Sequence, residues 1–203
     1  MKERIVLFDF GDVIATFDPA FRAAEFARLT GLSPEEVLSR LSTDDFWTET
    51  DRGVFSGAEM ERRIGELLGQ DFTHEELLRL QAAAFTVRPE MLEMARAVTR
   101  RSRTGILTNN APLLLEAFPI HFPEVARLFD PLLFSFQFGR VKPERELFEA
   151  VHRRLGVSRG GIVFIDDNPV HVDSARSVGW DAVRFRSAQQ LREALVERGF
   201  VLP

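Results

Sequence analysis

The apolar residues of this chain follow two patterns, short continuous runs and longer stripes with helical spacing. The continuous runs are rich in β-branched and aromatic residues and predict strands that are buried on both faces. These strands cover residues 5–8, 104–109, 132–135, 161–167 and 181–185. Helical stripes separate the later strands from one another, and strands that alternate with helices predict a parallel sheet with right-handed crossovers. The pattern therefore indicates an α/β fold in which a parallel sheet is flanked by helices.

The stretch between the first strand and residue 88 has a different character. From Pro19 to about Thr86 the apolar residues recur at helical spacing, and no convincing strand interrupts them. Residues 33–36, 56–59 and 73–76 each combine a Ser or Thr with acids in the following turn, which is typical of helix starts. We expect a bundle of about four helices here. The predicted organisation is a core made of residues 1–15 and 88–203, with a helical cap, residues 16–87, inserted between them.

Composition narrows the class of protein. The 203 residues are 45% hydrophobic and 28% charged, as in ordinary globular proteins, and the net charge of −5 argues against a general nucleic-acid binder. The absence of cysteine excludes disulfides, thiolate catalysis and Cys-ligated zinc. No apolar run approaches the length of a membrane span, and the first strand is too short for a signal peptide. We therefore expect a cytoplasmic protein without nucleic-acid or membrane partners.

One basic residue stands out from the others. Of the 26 lysines and arginines only Lys2 and Lys142 are lysines. A chain that uses arginine almost everywhere else has a reason to keep a lysine in its interior. The compact ammonium group differs from a guanidinium in shape, hydration and pKa range. We therefore treat Lys142 as a candidate functional residue.

Polar side chains follow four of the predicted strands. They are Asp9, then Thr108 with Asn109, then Lys142, and finally Asp166 with Asp167. Because the carboxyl ends of parallel strands lie along one edge of a sheet, we expect these groups to converge. Converging carboxylates need a cation, and hard oxygen ligands without Cys or His in these motifs indicate Mg²⁺. A hydroxyl group and a lysine beside such a cation suit a phosphoryl group.

Taken in order, these segments resemble a known set of motifs. Residues 9–13, Thr108-Asn109, Lys142-Pro143 and Asp166-Asp167 resemble the four motifs of the haloacid dehalogenase superfamily. The helical block lies where that family carries its cap, so the resemblance covers essentially the whole chain. It implies a Rossmann-like core with an inserted α-helical cap domain. The subgroup it resembles contains small bacterial phosphatases similar to the N-terminal phosphatase of epoxide hydrolase and to α-glucose-1-phosphate phosphatases.

The resemblance implies a catalytic role for each matching side chain. Asp9 would be the nucleophile, forming an aspartyl-phosphate that divides one difficult hydrolysis into two steps. Thr108, together with the backbone N–H of Asn109, would hold the transferred phosphoryl group. Lys142 would balance the charges of nucleophile and phosphate. The expected partner is therefore a small phosphorylated molecule.

The resemblance also implies a metal site. Mg²⁺ would be bound by the Asp9 carboxylate, the backbone carbonyl of Gly11 and Asp167, with Asp166 acting directly or through water. The cation would let an anionic carboxylate approach an anionic phosphate.

One position departs from the family pattern and keeps three functions open. Most phosphatases of this family have a second Asp two residues after the nucleophile, where this chain has Gly11. Asp12 follows directly, and on an extended or turning backbone it should point elsewhere. The leading hypothesis is a Mg²⁺-dependent phosphatase of a small metabolite such as a sugar phosphate. The alternatives are a 2-haloacid dehalogenase-type hydrolase and a catalytically weak phosphate-binding module.

The remaining polar candidates are interpreted as structural. His74, His121, His152 and His171 are expected to be surface or core residues rather than ligands. Residues 51–53 are interpreted as a turn, and the aromatic pair Phe46-Trp47 as part of a core between helices.

Overall fold

A computed structural model describes residues 4–42 and 45–202 of the chain. In chain order its elements are β1 (Ile5–Phe8), β2 (Ala15–Phe17), α1 (Pro19–Thr30), α2 (Pro34–Leu41), α3 (Phe46–Asp51), α4 (Gly57–Leu68), α5 (His74–Ala83), β3 (Phe85–Val87), α6 (Pro89–Thr99), β4 (Arg103–Thr108), α7 (Pro112–His121), α8 (Pro123–Leu128), β5 (Leu132–Phe134), α9 (Arg145–Leu155), β6 (Ile162–Asp166), α10 (Pro169–Ser177), β7 (Asp181–Arg184) and α11 (Ala188–Glu197). Short 3-10 turns at Ser135–Phe138 and Arg159–Gly161 precede α9 and β6.

Five of the strands form a parallel sheet in the order β5-β4-β1-β6-β7. The central strand β1 pairs with β4 on one side and β6 on the other, and all four of its side chains are buried. Helices cover both faces, so the predicted Rossmann-like α/β fold class is confirmed. The predicted strands agree with the observed ones within one residue at each end.

The helices of the N-terminal block begin where the sequence predicts. Ser33, Ser56 and Thr73 each accept a hydrogen bond from the backbone N–H of the glutamate three residues later, and that glutamate's side chain accepts one from the N-cap N–H. These reciprocal capping boxes satisfy backbone donors that a helix start otherwise leaves unpaired. The described part of the block holds five helices, α1 to α5, rather than about four.

A small two-stranded ribbon is a feature that the sequence pattern does not predict. The expectation that no strand lies between Pro19 and about Thr86 is wrong at its end, because Phe85–Val87 forms β3 and pairs antiparallel with Ala15–Phe17. Each strand has three residues, which is too short for an alternating pattern to be recognised. The ribbon brings the two ends of the helical block together.

Each face of the sheet has its own apolar core. Val6 and Phe8 belong to a cluster that runs from the sheet into α1, α4 and α5, while Ile5 and Leu7 pack in a second cluster with α9 and α10. The division into a core and a cap stays a prediction, and its residues 1–3, 43, 44 and 203 lie outside the described residues. None of the helices in the described ranges is long and apolar enough to cross a membrane.

Candidate active site

The predicted site residues meet at the carboxyl edge of the sheet. Asp9, Thr108 and Asp166 follow or end β1, β4 and β6, which are neighbours in the strand order. A cavity of about 200 Å³ opens at this edge. Six of the seven predicted site residues line the cavity, namely Asp9, Gly11, Thr108, Asn109, Lys142 and Asp167. The seventh, Asp166, is fully buried beside it.

Lys142 holds two of the carboxylates together. Its Nζ lies 2.8 Å from Oδ2 of Asp9 and 2.7 Å from Oδ2 of Asp166, and it also donates to the backbone carbonyl of Leu107 at 3.2 Å. The lysine side chain is buried, so all three ammonium donors need such partners. The interior lysine singled out in the sequence is thus in contact with the predicted nucleophile.

One ammonium group shared by two carboxylates leaves the charges unequally balanced. Burial raises the pKa of Asp9 to about 7, since Lys142 offsets only part of the desolvation and the charge of Asp166 adds to it. Burial also acts on Asp166, but the positive charge of Lys142 and the hydrogen bond with His171 outweigh it and hold the pKa of Asp166 below its usual range. Burial alone would lower the pKa of Lys142, and the two carboxylates raise it instead. Asp166 is therefore the permanent ion-pair partner.

The two acids at the end of β6, Asp166 and Asp167, differ in how many partners their carboxylate oxygens have. Asp166 accepts hydrogen bonds from Lys142 and from the backbone N–H of Asn168, and its Oδ1 lies 3.0 Å from Nδ1 of His171. Asp167 is half-buried, and burial together with the charges of Asp166 and Asp12 raises its pKa. The charge of Lys142 compensates that of Asp167 only in part.

The donor set of the cavity fits a hard divalent cation. Carboxylate oxygens of Asp9 and Asp166 and a ring nitrogen of His171 lie within 4.8 Å of one another. Asp166 is already bonded to Lys142, Asn168 and His171, so of its two predicted modes of metal binding we favour the one through water. Asp9, Asp167 and the carbonyl of Gly11 then supply only oxygen, the donor that Mg²⁺ prefers. The predicted metal ligands stay a prediction.

The end of β4 positions Lys142 as well as the predicted phosphoryl site. The Asn109 side chain donates to the carbonyl of Lys142 at 2.9 Å and accepts from its N–H at 2.8 Å. The amide is thus occupied, and the predicted substrate contact of Asn109 falls to its backbone N–H. The hydroxyl of Thr108 accepts a hydrogen bond from Asn110 at 2.8 Å and keeps its own proton for donation.

At Gly11, where most phosphatases of the family have a second Asp, the structure leaves room for a side chain. Gly11 lies at the cavity, and a Cβ placed there would be 3.7 Å from Phe85 and 3.8 Å from Phe17, which is ordinary contact. Asp12 takes a left-handed backbone conformation (φ 56°) at the cavity rim. Its carboxylate accepts a hydrogen bond from the N–H of Phe17 at 3.2 Å. Asp12 thus stabilises the turn that leads into β2.

Two residues at the site were not predicted from the sequence. His171 was expected to be a surface or core residue, but it lines the cavity and contacts Asp166. Its position five residues after Asp166, on the first turn of α10, was the available signal. Asp51 was interpreted as part of a turn, and it ends α3 at a second cavity of about 480 Å³. The two cavities share Phe17, Asn109 and Asn110 as lining residues.

Known proteins resemble this chain over nearly its full length. A family profile described as haloacid dehalogenase-like hydrolase matches residues 3–179. Phosphatase MT3486 of Mycobacterium tuberculosis is 30% identical over 210 residues, which cover 97% of this chain and 93% of that protein. D-ribitol-5-phosphate phosphatase of Bacteroides thetaiotaomicron is 22% identical over 196 residues, covering 94% and 95%. The fold is similar to that of the HAD family enzyme bt-2542 from Bacteroides thetaiotaomicron, crystallised with magnesium and inorganic phosphate, with a TM-score of 0.78, 18% identity and coverage of 91% and 94%.

Proposed function

Because this hydrolase belongs to the haloacid dehalogenase-like family, we propose that it is a Mg²⁺-dependent phosphatase of a small phosphorylated metabolite. The observation that carries the proposal is the ammonium of Lys142, held between Asp9 and Asp166 at one cavity with the hydroxyl of Thr108. A carboxylate nucleophile, a buried cation and a hydroxyl donor are the groups that transfer of a phosphoryl group to a protein side chain uses.

The proposed reaction has two steps. An oxygen of the Asp9 carboxylate attacks phosphorus, and the bond between phosphorus and the leaving oxygen breaks. Lys142 lies 2.8 Å from Asp9 and reduces the repulsion between carboxylate and phosphate, while Thr108 and the N–H of Asn109 donate to phosphoryl oxygens. Water then attacks the phosphorus of the aspartyl-phosphate, which releases phosphate and restores the carboxylate.

The same cavity would hold the cation. Asp9, the carbonyl of Gly11 and Asp167 are the proposed ligands, and Asp166 supports the site through Lys142. Bound Mg²⁺ would neutralise charge on the phosphoryl oxygens. The surplus of carboxylates over cationic groups at this edge supports the assignment.

The second cavity supports a small polar substrate. It lies against the catalytic cavity and is lined by apolar side chains together with Arg22, Asp51 and Gln81. Such a mixed lining suits a sugar, a polyol or a similar metabolite attached to the phosphate. The relative from Bacteroides thetaiotaomicron is named for D-ribitol 5-phosphate, a substrate of this class. Residues 16–87 are proposed to act as a cap that chooses the substrate.

The two alternatives predict different products. A 2-haloacid dehalogenase would release halide without metal, and the absence of an acid at Gly11 is the observation that motivates it. A phosphate-binding module would bind Mg²⁺ and a phosphate mimic without turnover. The relatives named as phosphatases favour the phosphatase, and so does the half-buried Asp167, whose charge Lys142 offsets only in part.

The test is phosphate release from nitrophenyl phosphate by the wild type and by Asp9→Asn. We expect release that EDTA abolishes, that excess Mg²⁺ restores and that Asp9→Asn lowers on the order of 10³-fold or more. Asp173→Asn changes an exposed acid on α10 and serves as the matched control, with activity equal to that of the wild type.

Each alternative has its own signature in this assay. Phosphate release that survives both EDTA and Asp9→Asn would refute the proposal. Halide release from 2-chloropropionate in EDTA would establish the dehalogenase instead. Binding of Mg²⁺ and beryllofluoride without release from any phosphate ester would establish the binding module.

A further inference from the structure

A carboxyl group from the helical block lines the cavity that adjoins the catalytic one. Asp51 is the last residue of α3 and lines the second cavity, which borders the catalytic cavity at Asn109 and Asn110. Lys142 is near enough for its positive charge to act on the Asp51 carboxyl group. Asp51 thus lines the cavity that we propose for the part of the substrate that leaves phosphorus.

Buried contacts fix the end of α3 against the site. The hydroxyl of Ser135 donates to the backbone carbonyl of Asp51 at 2.6 Å and accepts from the N–H of Asn110 at 3.2 Å. Asn110 in turn donates to Thr108. Two hydrogen bonds thus connect Asp51 to Asn110, in the loop that follows Thr108 with its predicted phosphoryl-binding hydroxyl.

The turn after α3 adds two further contacts with residues of the predicted α/β core. Arg52 forms an ion pair with Glu144. Gly53 lies so close to the 3-10 turn after β5 that a Cβ there would be 2.5 Å from the carbonyl oxygen of Phe136. The position of Asp51 is consequently set by packing rather than by a free loop.

The carboxyl group itself is uncommitted. Within residues 4–42 and 45–202, no hydrogen bond or ion pair ends on its oxygens. The charged groups that act on it are Arg22 on α1 and Lys142, and α5 contributes the neutral Gln81 to the same cavity. Arg22 is held by its own contacts, since its guanidinium lies 4.1 Å from the ring centre of Trp47 and donates to Gln81 at 3.3 Å. A half-buried acid without a partner among the described residues can exchange a proton with a ligand.

The electrostatics of this position agree with that role. Burial raises the pKa of Asp51 to about 7, and the positive charges of Arg22 and Lys142 offset burial only in part. A carboxyl group in this range can carry a proton at neutral pH and can also give it up, which is what acid–base catalysis needs.

The other acids near Asp9 already have functions. Asp166 is bonded to Lys142, and Asp167 is proposed as a metal ligand. Asp12 is exposed at the rim and accepts from Phe17. Among the acids in the described part of the site, Asp51 is the one that neither bonds to Lys142, nor is proposed as a metal ligand, nor accepts a backbone hydrogen bond.

On the basis of the proposed phosphatase function, we propose that Asp51 is the acid–base residue of the reaction. As the bond between phosphorus and the leaving oxygen breaks, the Asp51 carboxyl group gives its proton to that oxygen, and the alcohol departs neutral. The Asp51 carboxylate then takes a proton from the water whose oxygen attacks the aspartyl-phosphate. The bond between phosphorus and Asp9 breaks, phosphate leaves, and Asp51 is protonated again.

The test compares wild type and Asp51→Asn on dinitrophenyl, nitrophenyl, phenyl and alkyl phosphates, whose leaving groups are increasingly basic. An activated leaving group departs without a proton, so we expect kcat/KM of the variant to fall less than about tenfold on the dinitrophenyl ester. On the alkyl ester the loss should reach about 10²–10⁴-fold. A structural role would lower all four values by the same factor. Asp45→Asn, an exposed acid preceding the same helix, is the matched control.

Two further readouts belong to the same experiment. In the variant, acid quenching should trap an aspartyl-phosphate on Asp9 during turnover of the dinitrophenyl ester, because deprotonation of water is lost as well. The fall in wild-type kcat/KM above about pH 7 on the alkyl ester should be absent in the variant. Adding Gly11→Asp to the variant should restore part of the alkyl-ester activity, since a side chain fits at position 11.

The outcomes separate this inference from the function on which it rests. A variant that shows the wild-type dependence on leaving group and pH would overturn the role of Asp51 alone. No phosphate from any ester with the wild-type enzyme would overturn the proposed function and this inference together. Circular dichroism spectra of Asp51→Asn matching the wild type would exclude misfolding as the cause of a uniform loss.

Discussion

Lys142 is buried at the junction of two carboxylates, and its ammonium is the positive charge that both of them contact. A buried ion pair adds little stability relative to an apolar substitute, yet removal of one partner leaves an uncompensated charge. We therefore propose that Lys142 serves the chemistry of the site, and we expect stability to depend on it as well.

We expect Lys142→Met to lower the free energy of unfolding by about 3–5 kcal/mol at pH 8, because Asp9 and Asp166 lose their shared cation. Urea denaturation followed by circular dichroism measures the change. Adding Asp166→Asn should restore part of the loss, since one buried charge is then removed. A loss below about 1 kcal/mol in the single variant would contradict this account of the pair.

The protonation of Asp9 should govern metal binding. Burial raises the pKa of Asp9 to about 7, so the carboxyl group holds its proton at pH 6 and has lost it at pH 8. Because a metal ligand must be deprotonated, we expect Mg²⁺ to bind about tenfold more tightly at pH 8 than at pH 6. Calorimetric titration at the two pH values measures this, and Asp9→Asn should remove the pH dependence. Equal affinity at both values would show that Asp9 is already ionised at pH 6.

At the scale of elements, the turn after α3 fixes the helical block to the α/β unit. Gly53 has a left-handed backbone (φ 73°), and its Cα faces the carbonyl of Phe136 at a distance that leaves no room for a side chain. Gly31 has almost the same φ, 74°, and a Cβ added to it would have no neighbouring atom within 4 Å. The two glycines therefore separate the effect of backbone strain from that of close packing.

We expect Gly31→Ala to cost about 1 kcal/mol, the usual penalty for a side chain at positive φ. Gly53→Ala should cost at least about 2 kcal/mol more, because the methyl group must displace the backbone at Phe136. It should also lower kcat by moving Asp51. Thermal unfolding and the alkyl phosphate assay measure the two effects, and equal behaviour of the two variants would show that the turn can shift freely.

The elements differ in how far the sequence predicted them. Long runs such as 162–166 and capped helices such as Gly57–Leu68 carry strong signals, and the structure agrees with both. The ribbon of β2 and β3 and the short helix Pro123–Leu128 were not predicted, because three to six residues hold too few repeats of any period.

The site residues also differ in how far the sequence predicted them, and here the difference lies in long-range packing. The groups at strand ends were predictable together, since parallel topology brings them to one edge whatever the loops do. Asp51 was not, because its place depends on how α3 packs against Ser135 and Phe136, more than 80 residues away in the chain. His171 was not predicted because the sequence does not show which side of the first turn of α10 faces the cavity.

At the scale of the whole molecule, the apolar core is continuous between the sheet and the helical block. One cluster contains Phe8 of the central strand together with Phe26, Ile64 and Leu80 of the block. Helices that share buried surface with the sheet lose that stabilisation when either part unfolds. The two parts should therefore unfold in one cooperative transition.

The two tryptophans test this directly. Trp47 lies on α3, and Trp180 packs with Phe148 and Phe164 on the far face of the sheet. We expect the fluorescence of Trp47→Phe, which reports on Trp180, and of Trp180→Phe, which reports on Trp47, to follow the circular dichroism of the same variant through urea. An earlier transition at Trp47 would show that the helical block unfolds by itself.

The ribbon of β2 and β3 also has a consequence for how the protein could evolve. Ala15 faces Val87 and Phe17 faces Phe85, so the chain departs from the sheet and returns to it at one place. A segment with adjoining ends is the kind of module that recombination exchanges or selection rewrites without altering the strands on either side. Such an exchange would carry away Asp51 and most of the side chains that line the second cavity, while Asn109, Asn110, Ala111 and Leu114 of that cavity would stay. A protein with an exchanged segment would then keep the proposed nucleophile Asp9 without the proposed proton donor Asp51, and a mutation from glycine to aspartate at position 11 would be the shortest route to a replacement acid.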